Sequence, residues 1–341
     1  MSEVSFQVAI VGATGAVGQE IIHVLERRCF PVESLKLLAS PRSCGRVLFA
    51  LGRDVRVEEL TPQSFEGVDL AFFSAGATRS REFVPHALKA GAVVVDNSSA
   101  YRMEEGIPLV VPEVNADDID SQHGIIANPN CCAAILAVAC WPLHREFTIR
   151  RLTVSTYQSA SGAGAQAVEE LYQQYRDLAD DKPLTAQVFP FPLANNLFSH
   201  NSKVAANGYN DEENKLAQEI QKIFHAPDLD LIATCIRVPV ARAHSESIVL
   251  DTEKPIPVER AREILEAAPG IRVVDDPEAG HFPMPAEASG ELDVLVGRVR
   301  RAASDHSLAL FISGDQLLKG AAWNAVQIAE HLIHHHRLTA V

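Results

Sequence analysis

The sequence predicts an α/β chain in two parts: a parallel sheet covered by helices on both faces, then an α+β part whose sheet is largely antiparallel. Three observations predict this. Short, near-continuous apolar runs alternate with helical patterns early in the chain, as strands buried on both faces do. From Ile149 the texture becomes strict alternation, with Leu152, Val154 and Thr156 set against Arg151, Thr153 and Ser155, the mark of a sheet with one wetter face. At 341 residues the chain exceeds one ordinary core, so two domains are expected. The change of texture by itself puts a boundary between Leu143 and Ile149.

Taken in order, Phe6-Gln7-Val8-Ala9-Ile10-Val11 reads as a strand running into Gly12-Ala13-Thr14-Gly15-Ala16-Val17-Gly18, and Ile21, Ile22 and Leu25 form one face of the helix that follows. Glycines in a strand-to-helix turn let the backbone approach a pyrophosphate, and the helix N-terminus stabilises its charge. In this setting the spacing GxxGxxG predicts nucleotide binding. The next strand, residues 35–39, ends in Ser40-Pro41-Arg42-Ser43 with no acid at its tip. An acid would accept a ribose 2′-hydroxyl, whereas an Arg among hydroxyls suits a 2′-phosphate, so NADP is favoured over NAD. Further strands are predicted at residues 68–74, 92–96, 109–111 and 124–127, with a helix over 81–90. Ser74-Ala75-Gly76, Asn97-Ser98-Ser99 and Cys131 then stand at strand C-termini, and Arg102 follows as an anion-binding candidate.

Cys131 and Cys132 sit in Asn128-Pro129-Asn130-Cys131-Cys132, between a short strand and a helix start. A thiol at a helix N-terminus is biased toward thiolate, the form that attacks a carbonyl carbon; two small buried packing residues are the plainer reading. In the second part, the strand from Ile149 ends in Tyr157-Gln158 before a glycine-rich turn and a helix over 165–175. Residues 177–207 carry prolines and little periodicity, as a long ordered loop does. Asp211 is predicted to cap a helix that sets Glu212 and Lys215 on one face, a pattern that surface ion pairs also produce. The strand 231–239 puts Arg237 on a face with Ala233 and Cys235, and a loop holding His244 leads into a strand at 248–250. A helix over 258–267, strands at 271–274, 292–300 and 308–312, and a terminal apolar helix over 317–334 complete the chain. His331, His334, His335 and His336 read as cations at that helix's C-terminus.

Composition excludes several classes of function. An apolar share of 47% with 22% charged residues describes a soluble globular chain, and a net charge of −14 argues against nucleic acid and acidic membranes as partners. The apolar run 131–143 is too short to span a bilayer, and Met1-Ser2-Glu3-Val4 lacks a basic leader, so a cytoplasmic location is expected. The six cysteines show no CxxC pair and no zinc-like spacing, which predicts reduced thiols and no metal.

Gly12-Ala13-Thr14-Gly15-Ala16-Val17-Gly18, Asn97-Ser98-Ser99-Ala100-Tyr101-Arg102, Asn128-Pro129-Asn130-Cys131, Tyr157-Gln158, Arg237-Val238-Pro239-Val240 and His244-Ser245 together resemble the aspartate-semialdehyde dehydrogenase family, in order and spacing along nearly the whole chain. Residues 189–192, Gly208-Tyr209 and Lys319-Gly320-Ala321-Ala322-Trp323-Asn324 also look like segments of that family. The resemblance implies a Rossmann-like domain over 1–132 and 315–341 and an inserted catalytic and dimerisation domain over 133–314, with a homodimer as the assembly. It further implies Cys131 as nucleophile, His244 as acid/base and Gln158 as the residue that orients the intermediate. Arg237 would take the substrate carboxylate, Glu212 its ammonium, and Arg102 and Lys215 the phosphate. Gly12, Thr14, Gly15, Ala16, Val17 and Gly18 would hold the pyrophosphate, Ser40, Arg42 and Ser43 the NADP 2′-phosphate, and Asn324 would stand by the nicotinamide.

The chain departs from the family pattern at Cys132 and Ala133, where Ser or Thr and then Thr are usual, and at Ala243, usually Gly. The changed positions also resemble a divergent paralogue branch. The expected activity is the NADP-dependent, phosphate-linked interconversion of aspartyl phosphate and aspartate semialdehyde through a thioester. A nucleotide-binding paralogue of low turnover, and the same chemistry on another acyl phosphate, are the alternatives.

Overall fold

The computed structural model describes residues 5–121, 123–335 and 338. The chain divides into two compact units, residues 1–130 with 321–341, and residues 131–320. In the first unit, β1 (Phe6–Val11) leads through the glycine turn into α1 (Ala16–Arg27). Ile21, Ile22, Val24 and Leu25 face the core, each worth roughly 1.5–3 kcal/mol on burial. There follow β2 (Val32–Ala39), β3 (Val47–Ala50), β4 (Arg53–Glu59), β5 (Leu70–Phe73), α2 (Ala77–Lys89), β6 (Val93–Asp96), α3 (Pro112–Asn115) and β7 (Ile125–Ala127). The seven strands pair in the order β3-β4-β2-β1-β5-β6-β7, parallel except for the β3–β4 hairpin.

Two expectations for this unit need correction. Residues 109–111 form a single bridge, Leu109 to Ala127, because Pro112 turns the chain into α3 at once. The β3–β4 hairpin has no counterpart in the sequence reading. Its two-residue turn places Leu51 at φ 52° and Gly52 at φ 74°, a geometry usually announced by Asn-Gly or Asp-Gly.

The second unit opens on α4 (Cys131–Phe147), whose residues 132–140 are buried all round. It contacts the later elements of that unit, so the boundary falls before the helix, not between Leu143 and Ile149 where the texture changes. After it come β8 (Ile149–Gln158), α5 (Ala165–Ala179), β9 (Phe198–Ser199), α6 (Asp211–Ile223), β10 (Asp230–Arg237), β11 (His244–Thr252), α7 (Val258–Ala267), β12 (Ile271–Val273), α8 (Pro285–Ala288), β13 (Val294–Arg301) and β14 (Ser307–Gly314). The sheet order is β12-β13-β14-β11-β8-β10-β9, antiparallel except for the β12–β13 and β8–β10 pairs.

Here His244 begins a strand instead of sitting in a loop, since β11 pairs with β14 from His244 and with β8 from Ser245. The cap of α6 is Asn210, one residue before the predicted Asp211. Its side chain accepts from the Glu213 amide at 3.0 Å while the Glu213 carboxylate takes the Asn210 amide at 2.9 Å.

Within the first unit the chain closes with α9 (Trp323–His334), which packs on α1. It is preceded by a π-helical turn, Leu318–Ala322, so the predicted terminal helix is two segments. His331 is pushed below the usual histidine range by burial and by His335, so it is not the cation the sequence suggests, and His336 lies outside the described residues. Among the described residues no helix is long and apolar enough to cross a membrane.

Candidate active site

In the first unit a cleft of about 560 Å³ opens at the strand tips, lined by Gly12, Thr14, Gly15, Ser40, Pro41, Arg42 and Ser74 among others. Gly12 has φ 88°, and a Cβ there would lie 2.8 Å from the Ser74 carbonyl oxygen. A Cβ on Gly18 would come within 2.3 Å of the Gly12 carbonyl oxygen, so this glycine serves the close packing of α1 on the turn. Ser43 accepts a hydrogen bond from the Thr14 hydroxyl at 3.4 Å and so ties the tip of β2 to the glycine turn. Ala16 and Val17 form the first turn of α1, whose positive end suits a pyrophosphate.

The cleft also has lining residues that the sequence reading missed, Glu59 at the tip of β4 and Arg79 in α2. Glu59 pairs in register with Ala39, so an acid on the neighbouring strand stands beside the acid-free tip of β2. The sequence of β2 gives no sign of it, because Glu59 reaches the cleft from β4, the second strand of the hairpin.

Arg102 is held by two backbone carbonyls, Asn128 at 2.9 Å and Asn97 at 2.8 Å. Asn324 is fully buried, and its amide nitrogen donates to the Val110 carbonyl at 2.8 Å and to Asn128 Oδ1 at 2.7 Å, so its side chain braces the tips of the sheet. Ser98 is turned inward to the buried Asp96, donating to Oδ2 at 2.8 Å.

The second unit brings Cys131, Gln158, Glu212, Arg237 and His244 into one region. Cys131 is half-buried at the first position of α4, and its thiol lies well below the ordinary range. The Cys132 thiol, which donates a hydrogen bond to it, is the main cause; burial opposes, and His244 assists. Cys132 is correspondingly held well above the ordinary range. Among the described residues, which include all six cysteines, no disulfide is formed.

The Ser159 amide donates to His244 Nδ1 at 3.0 Å, which leaves the neutral ring its proton on Nε2. Ser159 Oγ lies 3.0 Å from the same Nδ1, and Ser161 Oγ is 3.2 Å further on. The Cys131, Cys132 and His244 donor atoms fall within 4.8 Å of one another. With Nδ1 already accepting the Ser159 amide, the ring cannot offer Nε2 to a metal without changing tautomer, so the cluster handles protons more readily than a cation.

Arg237 is only 3% exposed and donates from Nη1 to the Ser159 carbonyl at 2.6 Å. Burial lowers its affinity for the proton, partly offset by the Cys131 and Glu212 charges. Gln158 donates to Glu212 Oε1 at 3.2 Å, and Lys215 stands 3.8 Å from the other Glu212 oxygen. The Glu212–Lys215 pair that the helix spacing suggests does form, but Glu212 is nearly buried and also takes the Gln158 amide, so its carboxylate is not a solvated surface group. Gly162 leaves room for two of these groups at once: a Cβ there would lie 3.1 Å from His244 Nε2 and 3.3 Å from Arg237 Nη1.

The loop before His244 carries the family departure at Ala243, which sits at φ 70° where glycine is favoured, a cost of about 1–2 kcal/mol. Arg242 meets the buried Asp315 at 2.6 Å, and the Ala243 amide donates to Gln316 Oε1 at 2.8 Å, which holds the loop in that conformation.

Two residues missed in the sequence bear directly on the thiol. Gly320 lies in the π turn, and a Cβ there would fall 2.7 Å from the Cys131 Cβ. Gly320→Ala is expected to push Cys131 out of line and lower kcat by about 100-fold, the cost of a misplacement near 1 Å, with thermal stability changed far less. Steady-state rates and a melting curve check this.

Glu246 is fully buried on β11, and among the described residues neither carboxyl oxygen has a hydrogen-bond partner of regular geometry. Burial, then the Cys131 charge, pushes its carboxyl well above the ordinary value of 4.5, and the neighbouring Cys132 thiol offsets little of this. The folded state therefore binds this proton more tightly than the unfolded chain, and stability is lost as pH rises above about 4.5. Glu246→Gln is expected to remove that slope, so urea unfolding at several pH values should show a gain over wild type that grows with pH, roughly 1–3 kcal/mol at pH 8. An acid in the alternation His244, Glu246, Ile248, Leu250 was the available signal.

The chain matches the family model for the semialdehyde dehydrogenase NAD-binding domain over residues 7–122 and that for the semialdehyde dehydrogenase dimerisation domain over residues 140–319. It is 51% identical over 328 residues to the aspartate-semialdehyde dehydrogenase of Synechocystis sp., covering 96% of this chain and 97% of that one. The chain belongs to the aspartate-semialdehyde dehydrogenase family. Among solved members of the family, the Vibrio cholerae aspartate semialdehyde dehydrogenase II complexed with ASA is 40% identical with a TM-score of 0.93, covering 97% of this chain and 99% of that one. The Candida albicans enzyme with NADP is 26% identical with a TM-score of 0.75, covering 97% and 99%. The family's NAD-binding model falls on the unit that holds the glycine turn, and its dimerisation model on the unit that holds His244.

Proposed function

We propose that this chain is the NADP-dependent, phosphate-linked dehydrogenase that interconverts aspartyl phosphate and aspartate semialdehyde through a thioester on Cys131. The observation that carries this reading is a thiol at the first position of a helix, within 4.8 Å of the Cys132 and His244 donor atoms, with its proton affinity lowered chiefly by the Cys132 hydrogen bond. In the biosynthetic direction Cys131 attacks the acyl carbon and phosphate leaves, forming the C–S bond. NADPH, when bound, supplies the hydride that reduces the thioester. His244 hydrogen-bonds the resulting oxyanion and exchanges the proton as the C–S bond breaks, while the rotatable Ser159 hydroxyl can follow the state of Nδ1. Gln158 orients the intermediate. Arg237 takes the α-carboxylate and Glu212 the ammonium; Arg102 and Lys215 supply positive charge for phosphate. A carboxylate at Glu212 suits a free ammonium and disfavours an acylated nitrogen, which argues against N-acylated substrates.

The cleft of the first unit fits a dinucleotide, since its glycines keep the floor open and Arg42 suits a 2′-phosphate. Gly12, Gly15, Thr14, Ala16 and Val17 hold the pyrophosphate, and Asn324 keeps the sheet tips in place for the nicotinamide. Arg42→Ala is expected to raise KM for NADP by about tenfold or more while leaving NAD use nearly unchanged, because a charged hydrogen bond of roughly 1.5–3 kcal/mol is lost only with NADP. Initial rates with both cofactors check this.

The chain acts as a homodimer, for which Ile232 and Val249, each 40% exposed and flanking Thr153 across three strands, offer an apolar sheet face. It works in the cytoplasm, where Cys131 stays reduced. The test is NADPH formation from NADP and aspartate semialdehyde: the reading requires phosphate-dependent turnover, and turnover that ignores phosphate or is absent contradicts it.

A further inference from the structure

Arg237 packs against a segment with almost no regular structure. Its guanidinium carbon lies 5.4 Å from the centroid of the Phe189 ring, and Phe189 is itself edge-on to Phe198 at 5.8 Å. Phe198 stands in β9, in register with Arg237 of β10. Phe189 comes from the irregular stretch 185–194, and two side chains of α5, four residues apart on one face, hold that stretch by its backbone. Glu170 accepts from the amides of Gln187 at 2.5 Å, Val188 at 2.7 Å and Phe189 at 3.3 Å. Gln174, only 1% exposed, accepts from Leu193 at 2.8 Å and Ala194 at 3.0 Å and donates to the Thr185 carbonyl at 2.8 Å. Below them Phe189, Leu193 and Ala194 join Ala167 and Leu171 in one apolar cluster.

We propose that Glu170 and Gln174 are positioning residues for substrate recognition, which act by fixing Phe189 over Arg237 and so aim the guanidinium at the substrate carboxylate. The proposal rests on the reading of Arg237 as the carboxylate clamp. A flat ring over the guanidinium fixes the plane of its fork, and a bidentate carboxylate contact depends on that plane. A carboxylate that accepts several amides from a loop supplies what the loop's own sequence lacks, a set of hydrogen-bond partners for its backbone. Neither residue touches the substrate, so the effect should fall on KM for the aldehyde and spare cofactor binding.

The experiment measures kcat, KM for aspartate semialdehyde and KM for NADP in wild type, Glu170→Ala, Gln174→Ala, Phe189→Leu, the double variant Glu170→Ala/Phe189→Leu, and Arg237→Leu. The expected result is a rise of about tenfold in KM for the aldehyde in each single α5 variant and in Phe189→Leu, with the other two constants within about twofold. The double variant should rise no further than Phe189→Leu, because the two changes interrupt one chain of contacts. An unchanged aldehyde KM in Phe189→Leu, or additive effects in the double variant, would overturn the proposal while a raised KM in Arg237→Leu keeps the clamp. An unchanged aldehyde KM in Arg237→Leu overturns both. Phe189→Leu keeps the cluster apolar and the backbone staples intact, so it decides the matter even if an α5 variant fails to fold.

Discussion

Cys131→Ala should lower turnover by about 10⁴–10⁶-fold, the scale seen when the nucleophile of a covalent mechanism is removed. The chemistry leaves no bypass, because hydride can reduce the acyl carbon only after phosphate has been displaced, and only a thiolate at this position makes that displacement. Cys132 cannot take over: it is fully buried and held well above the ordinary thiol range, so it stays protonated as the donor to its neighbour. Steady-state assays on variants that still bind NADP check the claim. A residual rate within about 100-fold of wild type would mean that Cys131 is not the nucleophile.

His244→Asn should lower kcat by about 10²–10⁴-fold while KM for the aldehyde changes little. Asparagine keeps a donor but loses the ring that the Ser159 amide orients through Nδ1. Without it neither the oxyanion nor the departing proton has a partner of suitable acidity. A kcat within about threefold of wild type, read beside an intact melting curve, would reduce His244 to a packing residue.

Much of the fold was legible because burial writes itself into period. The first strand, α1 and α7 lie where apolar spacing puts them, and the alternation on β8 matches its burial from Leu152 to Gln158. The departures share a physical cause, local chemistry overridden by pairing. Polar His244-Ser245-Glu246 resembles a loop, yet strands on both sides bury it. Leu51 hides a tight turn because a β-branched-free, bulky residue at positive φ gives no turn signal.

The site divides along the same line. Cys131 stands out in the sequence as a thiol at a strand-to-helix turn, whereas Gln158, Arg237 and His244 are singled out only by the family resemblance. Ser159, Gly320 and Glu246 do not stand out, because each matters through a neighbour distant in sequence. Glu170 and Gln174 look like ordinary polar helix residues until the loop they hold is seen.

The most direct test of the central claim is a rapid-mixing experiment with enzyme, NADP and aspartate semialdehyde in the absence of phosphate. The thioester then has no acceptor except slow hydrolysis, so wild type should release a burst of NADPH equal to its active sites and carry an aspartyl group on the peptide that contains Cys131. Cys131→Ala should give neither. A wild-type protein that turns over steadily without phosphate and shows no burst, or an acyl group found on another residue, would contradict the account.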